Sequence, residues 1–165
     1  MPNKFLFCAD FQAASKTAFE AVLAEARQSK ADLIVLYVLE PCQRYSGVFI
    51  TDNGEACLTA ELAGTFNQKL QKFYVTPGEK THAQHVEYMV CGGIPAMEIL
   101  RVARKEKVDR IIIGSLLTAG GEREDEAEIS SLGETARMVY SRARCPVFMG
   151  TSKLPISKAF ESSPL

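Results

Sequence analysis

Histidine is scarce in this chain, and so are the spacings that cysteine and histidine need for chemistry. There are two histidines, His82 and His85. They straddle the entry to a predicted strand, so they do not share a face as helical metal ligands would. Both lie far from the strand ends where a ligand is expected, so no Ser–His or Cys–His arrangement can be argued. The five cysteines (Cys8, Cys42, Cys57, Cys91 and Cys145) are odd in number and scattered, with no CxxC pair. That excludes a disulfide framework or zinc spacing and reads as a reduced, cytoplasmic protein. The formal net charge is −1, which implies no bulk attraction to nucleic acid or to an anionic membrane. No apolar run approaches the roughly 20 residues that cross a bilayer. The opening MPNKFLFCADF has no sustained apolar stretch and is not read as a signal peptide.

Apolar runs alternate with helix-patterned segments. Residues 5–9, FLFCA, form a short strand, followed by a helix over 13–29 with Phe11, Ala14, Ala18, Val22 and Ala26 on one stripe. Residues 33–39, LIVLYVL, are apolar throughout, as in a strand buried on both faces. Pro41 ends that run, and 41–55 reads as a loop before a helix over 55–74. His85 to Val90 alternates and suits a strand near a sheet edge. Gly92-Gly93-Ile94-Pro95 turns into a helix running to about Lys107, with Pro95 where its missing N–H costs nothing. A strand over 110–114, a helix marked by Ile129 to Ala143 and a last strand over 147–150 complete the order. The expectation is an α/β domain over residues 1–150, an open five-stranded parallel sheet with helices on both faces. Residues 151–165, with two prolines and four serines, read as a mobile tail.

Ligands of such sheets bind beyond the carboxyl ends of the strands. The candidate rim is therefore Ala9-Asp10, Val38 to Glu40, Gly92-Gly93, and Gly114 onward. Asp10 suits either a helix cap or a ligand contact. Cys8 and Cys91 fall near the same strand ends, and small buried cysteines are the commoner case. Gly114 to Gly133 reads GSLLTAGGEREDEAEISSLG, a glycine-rich strand-to-helix crossing filled with acid. Glu122, Glu124, Asp125, Glu126 and Glu128 face the single cation Arg123.

The rim carries a resemblance. Cys8-Ala9-Asp10-Phe11-Gln12, Tyr37-Val38-Leu39-Glu40-Pro41, Gly93-Ile94-Pro95, the strand Val108 to Ser115 and Cys145-Pro146-Val147 together resemble the universal stress protein family, in order and with family-like spacing. The resemblance implies a Rossmann-like sheet of strand order 3-2-1-4-5. It also implies a homodimer formed through the last strand, Val147, Phe148 and Met149. Its nucleotide-binding members place the nucleoside against residues that match Ala9, Asp10, Phe11, Val38, Gly93, Gly114, Ser115 and Gly133 here. In those members the fourth crossing reads Gly, two residues, Gly, nine residues, then Gly followed by Ser or Thr. Aligned on Gly114 and Gly133, this chain has Leu117 at the middle glycine and Glu134 at the hydroxyl, and its interval is about six residues longer.

Glycines let a backbone approach phosphate, and a helix amino terminus favours an anion. Glu134 would occupy that anion's place. Two unit charges about 4 Å apart repel by roughly 1 kcal/mol in water and about 4 kcal/mol at an effective dielectric near 20. The expected function is a non-catalytic stress-response or signalling domain, a homodimer with weak or absent ATP binding. The alternative is an adenine-nucleotide-binding protein, for ATP or AMP, with at most slow ATP hydrolysis. No cofactor is required, although Mg²⁺ would suit the carboxylates if a polyphosphate bound.

Overall fold

The computed structural model describes residues 3–40, 47–54, 56–74, 85–113 and 133–150. The elements in chain order are β1 (Lys4–Cys8), α1 (Ala13–Ser29), β2 (Asp32–Leu39), β3 (Val48–Ile50), β4 (Ala56–Leu58), α2 (Ala60–Tyr74), β5 (Val86–Gly92), α3 (Pro95–Lys105), β6 (Arg110–Ile113), α4 (Glu134–Arg142) and β7 (Val147–Met149). The main sheet has the order β5-β2-β1-β6-β7, and its pairings are parallel. Counting only the strands of this sheet, that is 3-2-1-4-5. The chain order reverses between β1 and β6, and in open α/β sheets ligands bind at such a reversal, beyond the carboxyl ends of the strands.

The sheet is covered on both faces. Alternate residues of β1 and β2 point to opposite sides, and each side has its own core. Phe5, Phe7, Leu33 and Val35 pack with Ala18, Phe19, Val22 and Ala26 of α1 and with Leu70 and Tyr74 of α2. Leu6, Cys8, Ile34 and Leu36 pack with Ala96, Ile99 and Val102 of α3 and with Val139 of α4. The apolar run of β2 is thus a central strand buried on both sides. β5 forms one edge, as its alternation indicates.

Three local expectations are corrected. Residues 41–55 are not simply a loop. Val48, Phe49 and Ile50 pair antiparallel with Leu58, Cys57 and Ala56, across a turn in which Gly54 takes a positive φ of 78°. Three-residue strands are too short to show alternation, but the Asp52-Asn53-Gly54 turn was a hairpin signal. The second helix begins at Ala60 rather than near Glu55. Its first turn is set by Thr59, whose Oγ1 accepts the Leu62 N–H at 3.3 Å. Within α1, Ala14 is exposed and Ser15 is buried instead.

Helices α1 and α3 end alike. Lys30 and Lys107 take positive φ of 54° and 53°. Ala31 N–H donates to the Ala26 carbonyl, and Val108 N–H donates to that of Ala103, the paired closure that glycine usually completes. Among the described residues, no helix is long and apolar enough to cross a membrane.

Candidate functional site at the carboxyl ends of β1 and β2

β1 stops before β2 does. Ala9 N–H donates to the Leu36 carbonyl at 2.8 Å, while β2 continues to Leu39. In a parallel strand the N–H and C=O of one residue point to the same neighbour, and the next residue points to the other. Leu39 accepts from Gly93 N–H on the β5 side at 3.0 Å. Val38, two residues past Leu36, therefore directs its N–H and C=O to the β1 side, where β1 has already ended. A main-chain donor and acceptor stand together beyond Ala9. The Val38 side chain packs against the α3/α4 core.

Asp10 sits beside this gap, half-buried. Its Oδ1 accepts the Gln12 N–H at 2.9 Å, closing an Asx turn. The cap position of α1 is Gln12, which makes no side-chain cap bond. Asp10 thus orders the turn ahead of the helix. Among the described residues Oδ2 has no hydrogen-bond partner.

The turn is fastened from the other side by Tyr74, the last residue of α2. Its hydroxyl accepts the N–H groups of Asp10 at 3.2 Å and Phe11 at 3.3 Å and lies 2.8 Å from Ser15 Oγ. Ser15 donates its own hydrogen to the Gln12 carbonyl at 2.7 Å. By donor count, Tyr74 donates to Ser15. Burial pushes the Tyr74 hydroxyl above its ordinary pKa, against the lowering effect of these bonds, so it stays protonated. Neither Tyr74 nor Ser15 is apparent as a site residue from the sequence. The signal was a serine at helical spacing on the apolar stripe of α1.

Phe11 takes a positive φ of 59°, an uncommon conformation for a residue with a bulky side chain. Its ring meets Tyr37 edge-on at 4.8 Å and Phe73 at 5.6 Å, so it belongs to the α1/α2 core. The backbone of Phe11 shapes the site while its side chain anchors it.

Gly93 lies one strand further out, at the end of β5. Its φ is +147°, and a Cβ there would stand 2.8 Å from Glu98 Cγ. Glu98 is held by Arg101, with Nε at 2.8 Å. Gly93 is therefore a turn residue leading into α3. Gly133 is exposed and opens α4, with Glu134 in the first turn. Gly114 and Ser115, like Leu117 and the acidic run, lie outside the described residues. The structure thus brings Ala9, Asp10, Phe11 and Val38 together, with Gly93 beside them.

The thiols near the rim are not poised as nucleophiles. Cys8 is buried, and its burial, reinforced by the Asp10 charge, pushes its pKa far up. Burial also raises that of Cys91, with Arg101 opposing. Among the described residues no group of His, Cys, Asp and Glu side chains forms a metal site.

A sequence model of the universal stress protein family matches residues 1–149. The chain belongs to this family. A universal stress protein of Methanocaldococcus jannaschii is 28% identical over 151 residues, covering 89% of this chain and 81% of the relative. Two solved structures share the fold. One is a universal stress protein in complex with cAMP, 16% identical with a TM-score of 0.57, covering 92% of this chain and 98% of the other. The second, from Archaeoglobus fulgidus in complex with dAMP, is 17% identical with a TM-score of 0.51, covering 90% and 96%. At these identities they bear on the fold of this universal stress protein alone.

Proposed function

We propose that this universal stress protein is a non-catalytic sensor that binds an adenine mononucleotide or nucleoside at Ala9, Asp10 and Val38, holds ATP weakly, and works as a homodimer. The observation that carries the reading is the main-chain donor and acceptor of Val38, left beyond the end of β1 and adjacent to Asp10. A purine edge needs a neighbouring donor and acceptor, and a ribose hydroxyl needs an acceptor such as the Asp10 carboxylate. Relatives of the same fold are known with cAMP and dAMP, each a monophosphate. Against a triphosphate stand Glu134 at the amino end of α4 and the five acids between Glu122 and Glu128. Each close carboxylate–phosphate pair costs about 1–4 kcal/mol depending on solvent access.

Calorimetry with adenosine, AMP, cAMP and ATP, each with and without Mg²⁺, tests the binding reading. AMP, cAMP or adenosine should bind more tightly than ATP. ATP binding in the micromolar range and tighter than AMP would refute it, as would the absence of binding by every adenosine compound.

The dimer is proposed through β7. Among the described residues β7 pairs with β6 on one side only, and Val147 and Met149 are already buried in the chain's own core. Pairing would therefore use the open backbone edge, with Phe148 beside it. An uncovered edge of this kind is an aggregation hazard. Size-exclusion chromatography with light scattering should give twice the chain mass, and a strict monomer at micromolar concentration would remove the dimer.

A further inference from the structure

We propose a second anion site at the opposite end of the sheet, one that takes a small phosphorylated compound. It is independent of the nucleotide reading. A cavity of 240 Å³ opens at the amino ends of β6 and β7, and Arg104, Lys107, Arg142 and Arg144 line it. Its floor is apolar, formed in part by Leu100, Val108 and Ile111.

None of the four cations has an ion-pair partner among the described residues. The acids nearest in sequence are engaged elsewhere: Glu106 Oε2 pairs with Lys4 Nζ at 3.2 Å, and Asp109 Oδ2 accepts the Lys4 N–H at 2.7 Å. A bland reading exists for two of the four. Arg104 and Arg142 stand in the last turns of α3 and α4, where cations suit the helix dipole. It does not cover Lys107 and Arg144, which follow those helices and line the same cavity. Each helix end contributes the equivalent of about half a negative charge, which four full positive charges outweigh.

The size selects the ligand. The cavity is smaller than the roughly 300–1,000 Å³ that hold drug-sized molecules, so a compact phosphate with a short carbon portion fills it better than a whole nucleotide. Its oxygens would meet the guanidinium groups, which match phosphate geometry, and its carbons would lie on the floor.

Lys107 supplies the decisive variant. Its positive φ is one that glycine adopts freely. Lys107→Gly therefore removes the charge while keeping or raising the melting temperature. Pyrophosphate and propyl phosphate are titrated by calorimetry into the full chain. Both should bind at low ionic strength and weaken as salt rises. Lys107→Gly and Arg144→Gln should each weaken pyrophosphate by about fivefold or more, the loss of one charge-assisted contact, and leave adenosine affinity unchanged. Propyl phosphate should bind more tightly than inorganic phosphate. The proposal is overturned if neither probe saturates, if both variants bind as the parent does, or if an acidic peptide binds here and pyrophosphate does not.

Discussion

The hydroxyls of Tyr74 and Ser15 stand 2.8 Å apart and tie the end of α2 to the first turn of α1. Through the same oxygen Tyr74 also holds the N–H groups of Asp10 and Phe11. One phenol therefore fixes the turn that presents Asp10 to the candidate site. Tyr74→Phe keeps the ring, which packs edge-on against Phe7 and Phe19, and removes only the oxygen. It leaves the Asp10 and Phe11 N–H groups without their acceptor, while Ser15 keeps its bond to the Gln12 carbonyl. Urea denaturation should show a loss of about 1–3 kcal/mol, the cost of unsatisfied buried polar groups. Adenosine affinity should fall with it. Unchanged stability would mean that the oxygen holds nothing.

Phe11 combines a costly backbone with useful packing. Its left-handed conformation costs roughly 1–2 kcal/mol for a residue with a Cβ, while its ring contacts Tyr37 and Phe73. Phe11→Ala loses the packing and keeps the strain. Phe11→Gly loses the packing and relieves it. Both variants should be less stable than the parent, by about 2–4 kcal/mol for alanine, and glycine should be the more stable of the two by about 1 kcal/mol. Equal stabilities by chemical denaturation would show that the turn is unstrained.

The two kinds of signal differ in how far they could be read in advance. The double-sided burial of β2 was legible because LIVLYVL has no polar face, and the edge position of β5 because its residues alternate. The strands of the β3–β4 hairpin were not, since three residues per strand hardly establish a period, and only the Asp52-Asn53-Gly54 turn carried a signal. Asp10 was legible as a rim residue, but whether its side chain would cap α1 was not. That depended on Gln12 N–H reaching Oδ1 rather than a deeper helix N–H. The staple formed by Ser15 and Tyr74 joins residues 59 apart in sequence. A buried hydroxyl announces a need for a partner but does not say which one. The cationic cavity was equally hidden, because Arg104 and Arg142 close two separate helices and only the fold puts Lys107 and Arg144 beside them.

The acids of the fourth crossing make a prediction that separates charge from shape. Replacing Glu122, Glu124, Asp125, Glu126 and Glu128 with their amides removes five negative charges with little change in size. If those charges oppose a polyphosphate, ATP affinity should rise by tenfold or more, the equivalent of about 1.4 kcal/mol. Adenosine affinity should stay as it is, because an uncharged ligand does not feel the change. A parallel rise for adenosine would point to a change of shape instead. No rise for ATP would show that these carboxylates lie away from the phosphate path.

Alkaline pH should weaken the fold through Cys8 and Tyr74. Burial raises the pKa of both groups in the folded protein. The unfolded chain releases these protons near their ordinary values, about 8.5 for a thiol and about 10 for a phenol. Below those values folded and unfolded states hold the same protons, and the contribution to stability is fully present. As pH climbs from the unfolded value towards the raised folded one, the unfolded state alone loses its proton and stability falls. The slope approaches about 1.4 kcal/mol per pH unit for each group. Denaturation midpoints between pH 7 and pH 11 should decline first above about pH 8.5 and more steeply above about pH 10. Cys8→Ala should flatten the first decline and Tyr74→Phe the second, each starting from a lower plateau. Variants that lose stability as steeply as the parent would show that other groups govern the alkaline limb.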